Sequence, residues 1–368
     1  MNATDIKQFI DRLLKQCIHH FNFDQTTKDI ESQVMILQPG EVLTVVGPSR
    51  AGKSRATRQA FENTLGDLSG NDDQRPLIWI DNENSQASGE FSTKAFMLEA
   101  CKAIDHPIYG RQHSMSSEGL ARLQSHITRT PESVFRDAFE SGLKELKTRY
   151  LVIDEAHHVI YARGGEKVAA KILDSWKCLA QKTGIVLVLV GSYALVSVME
   201  HAPHLIGRQR RPLEFPRYRS SAQDDILAFD AVLAVYSKGL PFIDSKTSLR
   251  KWNRQLFEGS LGCVGHLSLW IRSALGWMLS HMESHFTWRA LEATAFVSGQ
   301  FDALLRETEE GEKKMASVVL TAGHEKTSVA APNQRDDSDH QVSEPKKGKS
   351  GPRPFTKKTR RRARGERA

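Results

Sequence analysis

The chain has 368 residues, 39% of them hydrophobic and 26% charged, with a formal net charge of +7. That is enough length and apolar content for one large globular domain or two ordinary ones, and it excludes a chain disordered throughout. The longest apolar run, Ile185 to Val190, is far short of the ~20 residues a membrane span needs; the N-terminus (Met-Asn-Ala-Thr-Asp-Ile-Lys) has no basic-then-apolar leader pattern.

The four cysteines (Cys17, Cys101, Cys178, Cys263) are scattered without a C-x-x-C pair. They read as buried free thiols in a reducing compartment, not as a disulfide framework or a zinc site. The positive charge is localised. Residues 346 to 368 hold eleven Lys or Arg against one Glu, a net of +10, which leaves about −3 for residues 1 to 345.

In chain order, Ile6, Phe9, Ile10, Leu13, Leu14 and Cys17 fall at helical spacing, and Pro39-Gly40 marks a turn. Glu41 to Val46 reads as a strand entering a glycine-rich loop, with a helix from Lys53. Leu77 to Asp81 is a second strand and Thr93 to Ile104 a helix. The stretch from His106 to Thr130 is polar and reads as irregular. A helix over Pro131 to Leu146 is expected, with Thr130 as N-cap and Pro131 at its first position. Tyr150 to Asp154, Ile185 to Val190 and Pro212 to Phe215 are three more strands, with a helix over Glu166 to Lys182 between the first two.

Strands alternating with helices predict an α/β fold with a five-stranded parallel sheet covered by helices. From about Ser220 the pattern turns all-helical, as in Leu267, Trp270, Ile271, Ala274, Leu275 and Met278. From about Gly311 it turns to Lys, Ser, Gly, Pro and Asp without periodicity, which reads as disorder. The expected organisation is a helical lead-in (1–40), an α/β nucleotide-binding domain (41–219), a small helical lid (220–307) and a disordered basic tail (308–368).

Gly47-Pro48-Ser49-Arg50-Ala51-Gly52-Lys53-Ser54 fits G-x-x-x-x-G-K-[ST], between a strand and a helix start. Loop N–H groups and the helix N-terminus suit the phosphates of ATP, with Arg55 following into the helix. Lys53 supplies charge to the β- and γ-phosphates, and the Ser54 hydroxyl suits Mg2+. Leu151-Val152-Ile153-Asp154-Glu155 is a buried strand ending in two carboxylates. Asp154 is expected to hold Mg2+ and Glu155 to deprotonate the attacking water.

His157 and His158 follow without H-E-x-x-H spacing, so they read as packing or hydrogen-bonding groups at a helix start and not as metal ligands. Ser192, at the end of the fourth strand, is placed either to reach the γ-phosphate or to cap the next helix. Arg208, Arg210 and Arg211 are either a finger for a neighbouring subunit's γ-phosphate or a solvated basic loop.

The order of Walker A, LVIDE, VLVGS, an arginine cluster and a helical lid resembles the AAA+ ATPases. More narrowly it is similar to the TnsC/TniB regulators of transposons, including those associated with CRISPR systems. The narrower match rests on Val152-Ile153-Asp154-Glu155-Ala156-His157-His158 and Leu173-x-x-Trp176-Lys177-x-Leu179. It extends to Gly184 through Ser192, Arg211-Pro212-Leu213-Glu214-Phe215-Pro216-Arg217-Tyr218, and Gly262-Cys263-Val264-Gly265-His266-Leu267.

Two departures matter. Gly265-His266 stands where many AAA+ proteins carry a nucleotide-sensing arginine, and Gln209 interrupts the arginine cluster. The resemblance implies an ATP- and Mg2+-dependent regulator in the bacterial cytoplasm that forms a homo-oligomer, ring or filament, on double-stranded DNA. It would be loaded by a targeting protein of the TniQ/TnsD kind, recruit a TnsB/TnsA-like transposase, and disassemble on hydrolysis, with no membrane partner and no DNA cleavage of its own. By analogy with initiator-type AAA+ proteins, DNA contacts are expected after the second strand, with Lys94, Arg111, Arg122 and Arg129 as candidates.

The tail segment Lys357-Lys358-Thr359-Arg360-Arg361-Arg362 suits DNA phosphates or an acidic partner surface, or serves only solubility. The alternative is another AAA+ machine, an initiator-like loader or a signalling scaffold, without a transposition role.

Overall fold

A computed structural model describes residues 7–8, 11, 18–66, 74–84, 89–110, 117–207, 210–238, 240 and 248–316. Arg111, Arg208, Gln209, Cys17, the helical pattern before Ile18 and the basic tail lie outside the described residues.

Five strands run parallel: β1 (Val42–Val46), β2 (Leu77–Asp81), β3 (Tyr150–Asp154), β4 (Val186–Gly191) and β5 (Leu213–Glu214). Their order across the sheet is β2-β3-β4-β1-β5. The register runs from Val42 opposite Leu187 to Val46 opposite Gly191, with Asp81 opposite Asp154. The three central strands are buried along their whole length, as continuous β-branched and apolar runs require when helices cover both faces. The edge strands are only partly buried, and β5 is two residues long where Pro212 to Phe215 was expected.

Because side chains alternate, each of the four longer strands feeds two cores. Val42, Val46, Leu151, Ile153, Leu187 and Leu189 pack on one face against α3 (Thr93–Ala103), α5 (Glu132–Glu145) and α6 (Glu166–Thr183). Leu43, Val45, Val152, Val186 and Val188 pack on the other against α1 (Phe21–Ile36) and α2 (Lys53–Leu65). A third cluster, around Phe229, Leu267, Trp270, Leu275 and Phe286, is the core of the all-helical region. It is built mainly by α9 (Gln223–Ser237), α10 (Asn253–Gly259), α11 (Val264–Ser280) and α12 (Trp288–Glu292).

Four expectations need correction. The polar stretch after His106 contains α4 (Ser117–Arg129). Its buried Leu123 and the packed Ile127 give too sparse an apolar stripe to stand out among Arg122, His126 and Arg129. The next helix starts at Glu132 with Pro131 as its N-cap, a residue later than expected. Cys178 is exposed, whereas Cys101 and Cys263 are buried. Finally, the chain does not lose order at residue 308 or 311. Helix α13 (Ser298–Ala316) continues across that point, with Thr308, Gly311 and Met315 buried. Among the described residues, no helix is long and apolar enough to cross a membrane.

Candidate nucleotide site

All parallel strands point their carboxyl ends the same way, and in open α/β sheets ligands bind at that edge. Residues 47 to 52 leave β1, turn, and enter α2 at Lys53. Two backbone conformations make the turn. Arg50 has φ +56° and Gly52 φ +116°, a left-handed value that glycine reaches without strain. Gly47 is tight for a different reason: a Cβ there would lie 2.4 Å from the carbonyl oxygen of Phe215, just after β5.

Lys53 is 8% exposed. Its Nζ donates to the carbonyls of Gly47 (3.1 Å) and Pro48 (2.8 Å), so it is folded back over the loop without a direct carboxylate partner. Burial holds its pKa below the usual lysine value, and the nearby carboxylates Glu155 and Asp154 oppose that shift. A buried ammonium under loop N–H groups suits a polyanion.

The Ser54 hydroxyl donates to Asp154 Oδ1 at 3.0 Å, which also accepts from the backbone N of Glu155 at 2.9 Å. Asp154 is 5% exposed. Burial pushes its pKa up despite these two hydrogen bonds, and the charges of Glu155 and Asp81 add to the rise. A cation beside it relieves that cost. Asn82 Oδ1 is a buried acceptor without a protein partner in the same cavity, suited to a metal-bound water. The donor set is therefore oxygen-only and fits Mg2+, held by Ser54 and Asp154, the latter directly or through water.

Glu155 has φ +50° and ψ +35°, unusual for a residue with a side chain. This turn ends β3, starts the 3-10 segment Ala156–Tyr161 and leaves the carboxylate half-exposed at the cavity. Asn82 holds the turn from the neighbouring strand: its N donates to Asp154 O (3.0 Å) and its Nδ2 to Glu155 O (3.3 Å). His158 Nδ1 donates to Asn82 O at 2.6 Å. His157 Nδ1 lies 3.2 Å from Glu155 Oε2 and 3.4 Å from the backbone N of Ser192.

The two histidines thus brace Glu155 and β4, although with Glu155 they could gather round one ion, their donor atoms all lying within 4.8 Å. Ser192 is buried at the cavity wall, with its Oγ accepting weakly from Ala194 N at 3.4 Å.

These groups line a cavity of about 920 Å³ whose walls come from the loop, the ends of β2, β3 and β4, and α13. A second cleft of about 130 Å³ opens behind the loop. His20 and Phe23 line one side of it, Ala51 and Gly52 another, and Tyr236 and Val264 of the helical region a third. Arg55 lies at its rim and Arg50 borders both spaces. The helical region docks closely here. A Cβ on Gly265 would lie 2.0 Å from Arg50 O, and one on Gly262 2.1 Å from Tyr218 O.

His20 Nδ1 bonds Tyr218 Oη (2.9 Å) and accepts from Phe23 N (3.4 Å), capping α1. Burial, opposed by the charge of Asp24 and aided by that of His19, holds the His20 pKa at about 4, and burial together with the charges of His158 and Lys53 does the same at His157. Both are neutral when folded, so the unfolded chain takes up the protons first as the pH falls. Their contribution to stability is complete above pH 6.5 and is lost as the pH drops towards 4. At pH 5 the loss is about 2 kcal/mol per histidine. Thermal unfolding should show Tm falling between pH 7 and pH 5, with a smaller drop in His20→Gln; an unchanged Tm contradicts the assignment.

The remaining expected residues lie elsewhere. Arg210 is 40% exposed and 3.7 Å from Glu41, at the start of β1. Arg211 donates to Met315 O at 3.2 Å, at the end of α13. Lys94 donates to Thr128 O at 3.0 Å, and Arg122 pairs with Glu118 at 2.5 Å on the exposed face of α4. Arg122 and Arg129, with Tyr109 and His126, line a separate groove of about 550 Å³. Sequence reasoning missed Asn82, which its place directly after an apolar strand signals, and the wall formed by α13.

The sheet order and this site decide the fold, and residues 37–199 match the family model of the AAA domain. The fold is that of an AAA+ P-loop NTPase. The AAA domain includes β1 to β4 and the whole Gly47–Ser54 loop. Similar solved structures include a Walker-type ATPase of Pyrococcus abyssi (16% identity over 79% of this chain and 75% of that one, TM-score 0.44). Another is the Aeropyrum pernix ORC1 protein in complex with DNA (13%, 77% and 67%, TM-score 0.48). A third is Drosophila ORC bound to DNA (12%, 80% and 66%, TM-score 0.43). Similarity this distant carries no functional argument. No curated protein matches the chain.

Proposed function

We propose that this AAA+ protein is a magnesium-dependent ATPase that uses ATP as a switch for assembly on duplex DNA. One observation carries the nucleotide half: Lys53, Asp154 and Glu155 converge on a single cavity at the strand ends, with Ser54 bonded to Asp154 at 3.0 Å. The phosphates would lie on the loop with Lys53 spreading their charge, and Ser54 and Asp154 would hold a magnesium ion, which would supply charge neutralisation to the phosphates. Glu155 orients and deprotonates the water, and the cleft behind the loop takes the base against Phe23 and Tyr236. Arg208, Arg210 and Arg211 remain the candidates for a finger supplied to a neighbouring copy.

The DNA half is supported by α4. Arg122, His126 and Arg129 recur at four- and three-residue spacing, so they share one helix face, with Lys94 at its end. The exposed Arg122–Glu118 pair is worth little and gives way readily to a phosphate. Within this class, the motifs around Asp154, Gly191, Arg217 and Gly262 favour a transposition regulator of the TnsC/TniB type. Its partners are then a targeting protein and a transposase.

Fluorescence anisotropy of a labelled duplex tests the reading. Binding should require the ATP analogue. The Arg122→Ala/Arg129→Ala chain should bind about tenfold or more weakly, with its salt slope reduced by about two. Binding that is indifferent to both nucleotide and these arginines contradicts the reading.

A further inference from the structure

Helix α13 closes the phosphate side of the cavity, opposite the loop. Leu304, Glu307, Glu310, Gly311 and Lys314 form that wall. Its charge is net negative: the carboxylates of Glu307 and Glu310 outnumber the one cation, Lys314, which lies 3.7 Å from Glu200, and Glu307 is near enough to act on Lys53. ATP binding and this position of the helix are therefore electrostatically opposed.

The way the helix is held is equally informative. Along its seam, Thr308, Gly311 and Met315 are buried at three- and four-residue spacing, and only Met315 among them is large and apolar; Phe301, Leu304 and Leu305 are partly buried. Few fully buried apolar side chains fix the helix, and polar contacts add to them. Arg217 forks onto Glu312, with Nε to Oε1 at 2.9 Å and Nη2 to Oε2 at 3.2 Å, both side chains largely buried. Arg219 adds a weaker contact at 3.7 Å. Arg211 donates to the carbonyl of Met315, and Lys314 Nζ lies 2.7 Å from Ser197 Oγ.

Gly311 sits so close to Tyr193 that a Cβ would lie 2.1 Å from its ring. Tyr193 in turn donates to Glu214 at 2.7 Å. Every anchor belongs to the segments that follow β4 or flank β5, next to Ser192. An element with few apolar contacts and a small set of ionic catches has the make-up of one that opens locally at low cost.

We propose that Ser298–Ala316 is an autoinhibitory cover over the nucleotide site, caught by the Arg217–Glu312 pair and displaced when Mg-ATP occupies the cavity. The proposal rests on the nucleotide-site reading above. In the closed state the cover lowers affinity for ATP. Binding of the triphosphate repels Glu307 and Glu310 and releases the helix.

Hydrogen exchange of the full chain tests this, read on peptides covering 298–316, without nucleotide and with a saturating non-hydrolysable ATP analogue and Mg2+. The analogue should speed exchange of that helix about tenfold. Glu312→Arg should do so without nucleotide and bind the analogue about tenfold more tightly, the shift that follows from losing a forked charged pair. The swap Arg217→Glu/Glu312→Arg should return both towards wild type. Gly311→Leu, which wedges against Tyr193, should act as Glu312→Arg does.

Unchanged or slower exchange at 298–316 with the analogue demonstrably bound overturns the cover and leaves the nucleotide site standing. Failure of the swap to restore closure overturns the Arg217–Glu312 catch. Absence of analogue binding in wild type and Glu312→Arg alike overturns the site reading itself.

Discussion

Replacing Lys53 with alanine should weaken ATP binding by at least about 100-fold while leaving the protein folded. The ammonium is buried over the loop and bonded only to the carbonyls of Gly47 and Pro48. Its pairing with the β- and γ-phosphates is thus the main charge compensation available to them on the loop side. Charge-assisted hydrogen bonds in such a setting are worth about 3 kcal/mol, which is ~100-fold in affinity. The carbonyls of Gly47 and Pro48, both in buried residues, lose this donor, and water entering the space left by the side chain replaces it, so Tm should move by only a few degrees. Titration with a fluorescent ATP analogue, alongside thermal unfolding, reads both. Retained affinity in a folded Lys53→Ala chain contradicts the site.

Glu155→Gln should separate binding from turnover. The side chain is half-exposed at the cavity, beyond the Ser54–Asp154 pair, and a glutamine keeps its length and its hydrogen-bonded surroundings. Nucleotide affinity should stay within about threefold. Removal of a general base costs about 10²–10⁴ in rate, so kcat should fall by that factor. The backbone at Glu155 is already in the left-handed region, held by Asn82, and glutamine enters it at no more cost than glutamate. A kcat within tenfold of wild type would assign the base elsewhere.

Much of this architecture is legible in the sequence, for identifiable reasons. Strands β1, β3 and β4 are buried on both faces, so they read as unbroken apolar runs, and each ends directly in a functional segment. The helical region is legible because Leu267, Trp270, Ile271, Ala274, Leu275 and Met278 all face one core. What sequence reading misses is of two kinds. Helix α13 is hidden in the sequence because its seam uses Thr308 and Gly311, small or polar residues that mask the helical period. Helix α4 is hidden because its apolar stripe is narrow.

The second kind is long-range. Asn82 reaches Glu155 across 73 residues of chain and His20 reaches Tyr218 across 198. No local pattern records such pairs. The same holds for the tight seats of Gly262 and Gly265, whose reason is the backbone that faces them.

Electron microscopy of the protein with duplex DNA tests the central claim most directly, with an ATP analogue, with ADP and without nucleotide. The account predicts regular oligomers on DNA with the analogue alone, absent in Lys53→Ala and persistent with ATP in Glu155→Gln. Nucleotide-bound monomers that leave the DNA bare in all three conditions would contradict it.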